Sequence, residues 1–342
     1  MRVAAARLLV FLCGALAAFA ALASVGVAQL AGRQGDGPVT VFYPTAAQER
    51  TVKRGPFTFQ LAEDAAPVKG NGRLVVISHG SGGSAWVHEQ VSRALVDAGF
   101  VVALPEHRGD NYRDMSLVGP PSWKLRPAEV SHAIDAVAGD KRFAPLLALD
   151  KVGMLGMSAG GHTALTLAGG RWSPSRFAQH CQEDIDDDFY ACVGLATRKS
   201  DGVIGWFKEK IALMVIQQRL SDPTWYQYRD PRIAAVVAGV PYAADFDFAS
   251  LAKPPVPLAL VLSEKDAWLI PRFHGKAVLA ACGSCELLAD LPTAGHGALL
   301  APPPPNLTGL AGELLNDPPG FDRSVLPAVD RKIVAFFRKN LP

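Results

Sequence analysis

The segment Gly156–Gly160, with the sequence Gly-Met-Ser-Ala-Gly, has the residue types and spacing best suited to chemistry. It matches the pattern G-x-S-x-G and lies between an apolar run typical of a buried strand and a segment with helical spacing. Small residues there permit the tight turn that holds a serine hydroxyl above a sheet. Ser158 is therefore the candidate nucleophile. The alternative is a helix N-cap serine beside glycines that only pack closely.

A histidine near the end of the chain is the candidate base, which a serine hydroxyl needs because it is a weak nucleophile near neutral pH. His296 follows the last predicted strand and lies between two glycines on a loop, where a histidine is poorly placed to fill a core. The other histidines considered lie on predicted helices or in polar stretches expected to be exposed: His88, His132, His162, His180 and His274.

The third member of such a site is a carboxylate that orients the imidazole and stabilises its charged form. Asp266 follows the predicted strand Val256–Leu262 on a short loop that lets the chain turn toward His296. The resulting chain order of serine, aspartate and histidine is that of α/β hydrolases. Glu264 is the close competitor for this role, whereas Asp230 precedes a proline at a strand start and is better suited to capping that turn.

Two backbone N–H groups are expected to form an oxyanion hole for the charge of a tetrahedral intermediate. One should come from Ala159, and the other from the loop after an earlier strand. The segment His79–Gly83, with the sequence His-Gly-Ser-Gly-Gly, follows the predicted strand Leu74–Ser78, which makes Ser81 the expected donor. The alternative is a tight strand-to-helix turn without a catalytic role. The supporting positions of the two motifs are His79, Gly80, Gly82, Gly156 and Gly160.

These two motifs resemble those of bacterial proteins known as predicted dienelactone hydrolases, which are similar to platelet-activating-factor acetylhydrolases. The segments Pro105–Asp110 and Arg126–Val130 also look like the stretches that lie between the motifs in that group. The resemblance covers about residues 38–340 and is weakest across residues 171–229.

The resemblance implies an α/β-hydrolase fold and ester substrates, with Ser158, Asp266 and His296 matching the triad. Dienelactone hydrolases proper use a cysteine nucleophile. The serine at position 158 departs from that pattern, which argues against dienelactone itself as the substrate.

The fold expected from the pattern is α/β: a mostly parallel central sheet with helices on both faces, over residues 38–342. Residues 171–229 interrupt the pattern with an amphipathic segment and are expected to form a helical cap. The predicted strands are Val39–Tyr43, Phe57–Leu61, Leu74–Ser78, Phe100–Leu104, Val152–Leu155, Ile233–Val240, Val256–Leu262 and Cys285–Leu288. The predicted helices are Trp86–Ala98, Pro127–Ala138, Ala159–Ala168 and Val325–Lys339.

Residues 1–28 are expected to be a secretory signal peptide rather than part of the fold. Arg2 and Arg7 precede a long apolar run, and small residues suitable for cleavage occur at 21–23 or 26–28. The alternative is an uncleaved helix over residues 8–28 that anchors the protein in the inner membrane. Export to the periplasm or the medium is therefore predicted.

Four cysteines beyond the apolar run suggest two disulfides, as expected for an exported chain. Pairing within each local couple requires the least chain closure, which predicts Cys181–Cys192 and Cys282–Cys285. The alternative for Cys282 and Cys285 is a redox motif or half of a zinc site.

The charge pattern argues against nucleic-acid partners, because the net charge is only +2 and no run of Lys or Arg occurs. No cofactor or metal is expected, and the acidic residues at 184–188 are interpreted as a solvated loop rather than a calcium site. The expected partner is a small-molecule or lipid ester, with membrane contact only through the N-terminal segment if it is uncleaved. The oligomeric state is left open.

The predicted activity is that of a serine esterase. A serine peptidase or amidase on the same fold is the alternative within enzymes. A non-catalytic binding protein on a hydrolase scaffold is the alternative outside them. Aromatic residues of the cap, such as Trp206 and Phe207, are expected to pack or to line an acyl pocket.

Overall fold

A computed structural model of the chain describes residues 24–342 as an α/β fold with ten strands and nine α-helices in that range. The strands are β1 (Ser24–Leu30), β2 (Val39–Thr45), β3 (Arg50–Arg54), β4 (Phe57–Glu63), β5 (Leu74–Ser78), β6 (Val101–Pro105), β7 (Val152–Met157), β8 (Ile233–Gly239), β9 (Leu258–Ser263) and β10 (Glu286–Leu291). The helices are α1 (Glu89–Asp97), α2 (Pro120–Gly139), α3 (Ala159–Leu167), α4 (Pro174–Asp184), α5 (Phe189–Val193), α6 (Gly202–Arg219), α7 (Gly275–Ala281), α8 (Gly309–Leu315) and α9 (Leu326–Asn340).

The strands form one mixed sheet in the order β10-β9-β8-β7-β5-β6-β2-β1-β4-β3. Strands β5 to β10 are all parallel to their neighbours within that set. The antiparallel pairings lie on the N-terminal side, where β2 opposes both β1 and β6 and β3 opposes β4. The predicted class, α/β with a mostly parallel sheet, is confirmed.

Both faces of the sheet are covered, because the central strands are apolar on both sides. In β5, Leu74 and Val76 face one core together with Ile134 of α2 and residues of α3. Val75 and Ile77 face the opposite core, which includes residues of α1 and α9. This alternation follows from the two-residue period of a strand and explains why β5 is a continuous apolar run.

Helix α2 begins at Pro120, seven residues before the predicted start at Pro127. Pro120 and Pro121 occupy the first turn, where a fixed φ favours the helix and the missing N–H has no intrahelical acceptor anyway. Pro127 lies inside the helix, so it was the wrong proline to take as the start signal. Strands β1 and β3 and helices α7 and α8 were not predicted.

The predicted leader, residues 1–28, overlaps a strand of the sheet, because Ser24–Leu30 forms β1. This strand pairs with β2 along its whole length, from Ser24 opposite Thr45 to Leu30 opposite Val39. Cleavage after residue 28 would remove most of the strand, and an anchor over residues 8–28 would overlap it. Residues 1–23 lie outside the described part of the chain, so the leader itself stays a prediction. No helix within residues 24–342 is long and apolar enough to cross a membrane.

The predicted cap, residues 171–229, contains α4, α5 and α6. Its two ends are joined where Trp172 and Tyr226 exchange backbone hydrogen bonds of 3.0 and 2.7 Å. Both predicted local disulfides are present. Cys181–Cys192 links α4 to α5, and Cys282–Cys285 closes the turn between α7 and β10.

Candidate active site

Ser158 occupies the turn between β7 and α3 and has a left-handed backbone conformation, with φ of +58°. A non-glycine residue in this region is strained and persists only where its surroundings enforce it. The surroundings here are crowded: a Cβ on Gly156 would lie 1.9 Å from the carbonyl oxygen of Gly160. A Cβ on Gly160 would lie 1.9 Å from the carbonyl oxygen of Ser78 in β5. These glycines let the strand, turn and helix close around a serine that is half-buried and reachable from solvent.

His296 lies beside this serine, at the start of the 3-10 turn His296–Leu299 that follows β10. Its Nε2 is 2.9 Å from Ser158 Oγ, and its Nδ1 is 2.7 Å from Asp266 Oδ2. Because the ionised carboxylate can only accept, Nδ1 carries the proton and Nε2 accepts the serine hydroxyl. The imidazole is thereby held in the tautomer that can take a proton from Ser158.

Asp266 is oriented by the backbone of its own loop. Its Oδ1 accepts the N–H groups of Trp268 and Leu269 at 2.9 and 2.8 Å, which leaves Oδ2 directed at His296. The competitor Glu264 instead pairs with Lys276 at 2.6 Å. The structure therefore brings Asp266, and not Glu264, to the histidine. Asp230 lies apart from the site and pairs with Arg232 and Ser131.

The backbone N–H groups of Ala159 and Ser81, near Ser158, have no acceptor within residues 24–342. The Ala159 N–H is the first of α3, where helix geometry leaves donors unpaired. The loop that carries Ser81 touches the serine directly, since a Cβ on Gly80 would be 3.3 Å from Ser158 Cβ. Free donors beside a reachable hydroxyl are the arrangement needed to bind an oxyanion.

A buried ion pair holds the loop 79–82 in place. Arg126 and Asp110, both fully buried, meet at 2.8 Å. Arg126 also donates to the His79 carbonyl at 2.5 Å, while the Asp110 carboxylate accepts the Gly82 N–H at 3.0 Å and the Ser81 hydroxyl at 3.3 Å. Burial favours a higher pKa for Asp110, but the charge of Arg126 and the Gly82 N–H outweigh it and lower the pKa. The pair therefore stays ionised and clamps both sides of the loop.

His79 itself is buried and is positioned as part of this loop. Its Nε2 accepts the His107 N–H at 3.3 Å, so Nδ1 carries the proton and donates to the Gly80 carbonyl at 2.8 Å. Burial, together with His107 and the charge of Arg126, lowers the pKa of His79 well below its usual value. A neutral ring that bonds to its own loop has a structural role.

A second serine–histidine–carboxylate line lies directly beneath the loop. His107 contacts Ser78 Oγ at 2.7 Å through Nε2 and Glu129 Oε2 at 2.5 Å through Nδ1. Burial, followed by the charge of Arg126, lowers the pKa of His107 well below its usual value. Burial also raises the pKa of Glu129 to about 7, against the opposing Arg108 N–H and Arg126. Because Ser78 is fully buried, this line cannot meet a substrate and braces the loop above it.

The sequence analysis assigned no role to Asp110, Arg126, His107 or Glu129. They fall in the two segments singled out by the family resemblance, and the charge pattern there gives no sign of burial. Arg126 and Glu129 lie on α2, which also carries the exposed Lys124 and Asp135, so the sequence did not indicate which charged side chains are buried or what they pair with.

His180 and His274 are buried, which contradicts their predicted exposure. Both donate through Nε2 to Asp188 Oδ2, at 2.8 and 2.9 Å. His274 Nδ1 accepts the Ala243 N–H at 2.9 Å, and Asp188 Oδ1 accepts the Ile270 N–H at 3.3 Å. Asp188 therefore joins the cap to the loop that carries Asp266.

The predicted solvated acidic loop is also wrong at Asp188, which is 1% exposed. Burial favours a higher pKa for Asp188, but hydrogen bonds from His180 and His274 outweigh it and lower the pKa to about 2. Within residues 24–342, no cluster of three or more His, Cys, Asp or Glu side chains could hold a metal ion.

An open cleft of about 510 Å³ reaches His296 from the surface. One wall is Trp268, which stacks on Tyr190 of the cap with ring centroids 4.3 Å apart. The facing wall comes from α8 and includes Glu313. The volume is in the range of clefts that bind small organic molecules.

No protein-family model matches the chain, and no curated protein matches it. The site is therefore interpreted from its residues and their geometry.

Proposed function

We propose that this chain is a serine hydrolase of the α/β-hydrolase type that cleaves carboxylic esters. The observation that carries the proposal is the unbroken hydrogen-bonded line from the reachable Ser158 hydroxyl through His296 to the buried Asp266 carboxylate. This line has the order and tautomer that nucleophilic acyl transfer requires. The free N–H groups of Ser81 and Ala159 beside it support the same chemistry.

In the first half-reaction, Ser158 Oγ attacks the ester carbonyl carbon while His296 Nε2 takes the hydroxyl proton. The imidazolium that forms is stabilised by Asp266, whose other oxygen stays bonded to its loop. The carbonyl oxygen becomes an oxyanion and accepts the N–H groups of Ala159 and Ser81. Collapse of the intermediate expels the alcohol, which takes the proton from His296, and leaves an acyl-serine.

In the second half-reaction, water replaces the alcohol. His296 Nε2 takes a proton from the water as its oxygen attacks the acyl carbon, and the oxyanion forms again at the same two donors. The proton then returns to Ser158 Oγ as the carboxylic acid leaves. Every group required by this cycle belongs to the chain itself or to the solvent.

The resemblance to predicted dienelactone hydrolases and platelet-activating-factor acetylhydrolases supports an ester substrate. The serine nucleophile argues against dienelactone itself. Two disulfides favour an oxidising compartment, which supports the periplasm or the exterior of the cell as the proposed location. Anchoring by the N-terminal segment is the alternative location.

The test is labelling by a fluorophosphonate probe together with turnover of short p-nitrophenyl esters. Ser158→Ala should abolish labelling and lower turnover on the order of a million-fold, since nucleophile and base act as a unit. The matched control is Ser221→Ala, an exposed serine of the cap, which should leave both signals unchanged. Equal labelling of the Ser158→Ala variant would refute the assignment.

The same assays separate the alternatives. Faster hydrolysis of peptide amides than of matched esters would favour a peptidase or amidase. Absence of labelling in folded wild-type protein would favour a binding protein on a hydrolase scaffold.

A further inference from the structure

Helix α6 of the cap presents an apolar face to solvent. Val203, Phe207, Ile211 and Met214 follow one another at intervals of four, four and three residues, which places them along one side of the helix. Val203 is 72% exposed and Met214 is 64% exposed. The opposite side, with Gly205 and Ile216 buried, packs on the rest of the cap. The outward stripe consists of Val203, Ile204, Phe207, Ile211, Met214 and Val215.

Such a stripe is unusual, because an ordinary surface helix turns its apolar residues inward. Contiguous exposed apolar residues on a soluble protein mark a surface that meets another apolar phase or partner. The length of α6, 18 residues, lets the stripe lie flat along an interface.

Basic side chains and a tryptophan border this stripe. Lys210 lies over the ring of Trp206 with its Nζ 5.9 Å from the ring centroid, and Trp206 is 53% exposed. Residues 198–219 contain five basic and two acidic residues, a net charge of +3. The basic residues are Arg198, Lys199, Lys208, Lys210 and Arg219, and the acidic ones are Asp201 and Glu209. A tryptophan and cations around an apolar face suit the headgroup region of an anionic lipid layer.

The segment before α6 is joined to the wall of the cleft that reaches His296. Arg198 Nη2 is 2.6 Å from Glu313 Oε1, and Glu313 lines that cleft. The start of the apolar helix and the cleft are therefore on connected parts of the surface. A lipid layer that receives α6 would lie close to the route by which substrate reaches the serine.

We propose that the outward face of α6 docks onto an anionic lipid surface, with the stripe Val203–Val215 at the level of the headgroups and upper acyl chains. Docking would bring lipid-borne esters to the cleft, a consequence that rests on the proposed esterase function. The docking itself does not depend on catalysis. Pairing of the face with a second copy is disfavoured, because it would bring two segments of net charge +3 together.

The direct test is quenching of tryptophan fluorescence by brominated phospholipids, with the full chain bound to vesicles that contain phosphatidylglycerol. Residues 1–23 contain no tryptophan, so anchoring by the N-terminal segment would not produce this signal. Trp206→Phe should remove most of the quenching. The matched control is Trp225→Phe, the other strongly exposed tryptophan at 45%, which should leave the quenching unchanged. Quenching that does not depend on Trp206 would overturn the proposal.

Vesicle binding then tests the face itself. The triple variant Phe207→Ser, Ile211→Ser, Met214→Ser should bind anionic vesicles about a hundredfold more weakly, because three exposed apolar side chains lose their transfer into lipid. A control with three exposed apolar residues elsewhere, Val68→Ser, Leu287→Ser, Val325→Ser, should bind like the wild type. Equal loss in the two triple variants would refute docking through α6.

The contribution of the basic residues to vesicle binding is tested separately. Lys210→Gln and Arg219→Gln should each weaken binding to phosphatidylglycerol vesicles by roughly fivefold, with little change on pure phosphatidylcholine. If light scattering without lipid shows a dimer that the apolar triple variant converts to monomer, the face is an interface between copies and the lipid proposal fails.

Catalysis and docking are separated by two further variants. Ser158→Ala should bind vesicles like the wild type, and the α6 triple variant should hydrolyse soluble short esters normally while losing turnover of vesicle-borne esters. If the wild-type protein binds vesicles but hydrolyses no ester, the proposed function is refuted and the docking proposal stands.

Discussion

The buried pair of Asp110 and Arg126 provides the sharpest test of how the loop 79–82, the proposed source of one oxyanion donor, is held in place. In Asp110→Asn the side chain keeps one acceptor oxygen and gains an N–H₂ group. In the wild type, one carboxylate oxygen accepts from Arg126 at 2.8 Å and the other accepts the Gly82 N–H at 3.0 Å. In either orientation of the amide, its N–H₂ group therefore faces one of these two donors and leaves that donor without an acceptor. An unpaired charge at a fully buried guanidinium costs about 3–5 kcal/mol of folding free energy.

The same change should loosen the loop that carries Ser81. Complete loss of one oxyanion donor costs about 100- to 1000-fold in kcat. Because Arg126 still bonds to the His79 carbonyl at 2.5 Å, the loop is displaced only in part, and we expect kcat to fall by about tenfold to a hundredfold.

The assay combines urea unfolding with ester kinetics, measured well below the unfolding temperature of the variant. Asp230→Asn is the matched control, because Asp230 also accepts from an arginine, Arg232, at 2.6 Å. Asp230 precedes the start of β8, whereas Ser158 follows the end of the parallel strand β7, so the control lies at the opposite edge of the sheet. It should lose stability and keep its kcat. If Asp110→Asn is destabilised while its kcat is unchanged, the pair does not position the oxyanion donor. An unchanged stability would refute the argument about the buried charge.

Two further predictions concern stability alone. Burial raises the pKa of Asp330 from 3.8 to about 6, against the opposing hydrogen bond from Gln90. Between these two values the folded protein keeps a proton that the unfolded chain has released. The free energy of unfolding of the wild type therefore falls as pH rises through this range. Asp330→Asn should therefore gain up to about 3 kcal/mol at pH 8 and almost nothing at pH 4, read from urea unfolding; equal gains at both pH values would contradict the titration. Gly160→Ala should lose at least about 3 kcal/mol in thermal or urea unfolding, because its Cβ would meet the Ser78 carbonyl at 1.9 Å. Gly139→Ala in α2, where a Cβ would meet nothing within 4 Å, should gain about 0.5–1 kcal/mol, and similar losses in both variants would refute the packing argument.

The central sheet was predictable because its strands are short apolar runs separated by turn residues. Strand β5 lies where the pattern indicated, since both of its faces are buried and the sequence carries no competing period. Strand β3 was missed because its pattern is polar: only Val52 is buried among charged neighbours on an edge strand. Strand β1 was missed for the opposite reason, because its apolar residues continue a run that also suits a signal peptide.

The candidate nucleophile, base and acid could be found from the sequence because each sits on a turn after a strand, where the residue type carries the information. Their partners within the scaffold could not. Asp188 was interpreted as solvated because four aspartates lie within five residues, and the sequence does not tell which of them turns inward. The cap aromatics Trp206 and Phe207 were expected to pack or to line a pocket, yet both point outward, since periodicity defines a helix face but not what that face meets.

The hydrogen bonds that join Asp188 of the cap to the loop of Asp266 limit the routes by which a substrate can reach the site. Asp188 holds His180 on α4 and His274 before α7 with one carboxylate, and its pKa of about 2 keeps that carboxylate charged through all but strongly acidic conditions. Moving this side of the cap away would separate Asp188 from His274 and from the Ile270 N–H, which lie outside the cap, and would leave a buried anion with His180 as its remaining histidine partner, a penalty of several kcal/mol. Entry and exit of a substrate are therefore directed along the open cleft between Trp268 and α8, which requires no movement of the cap.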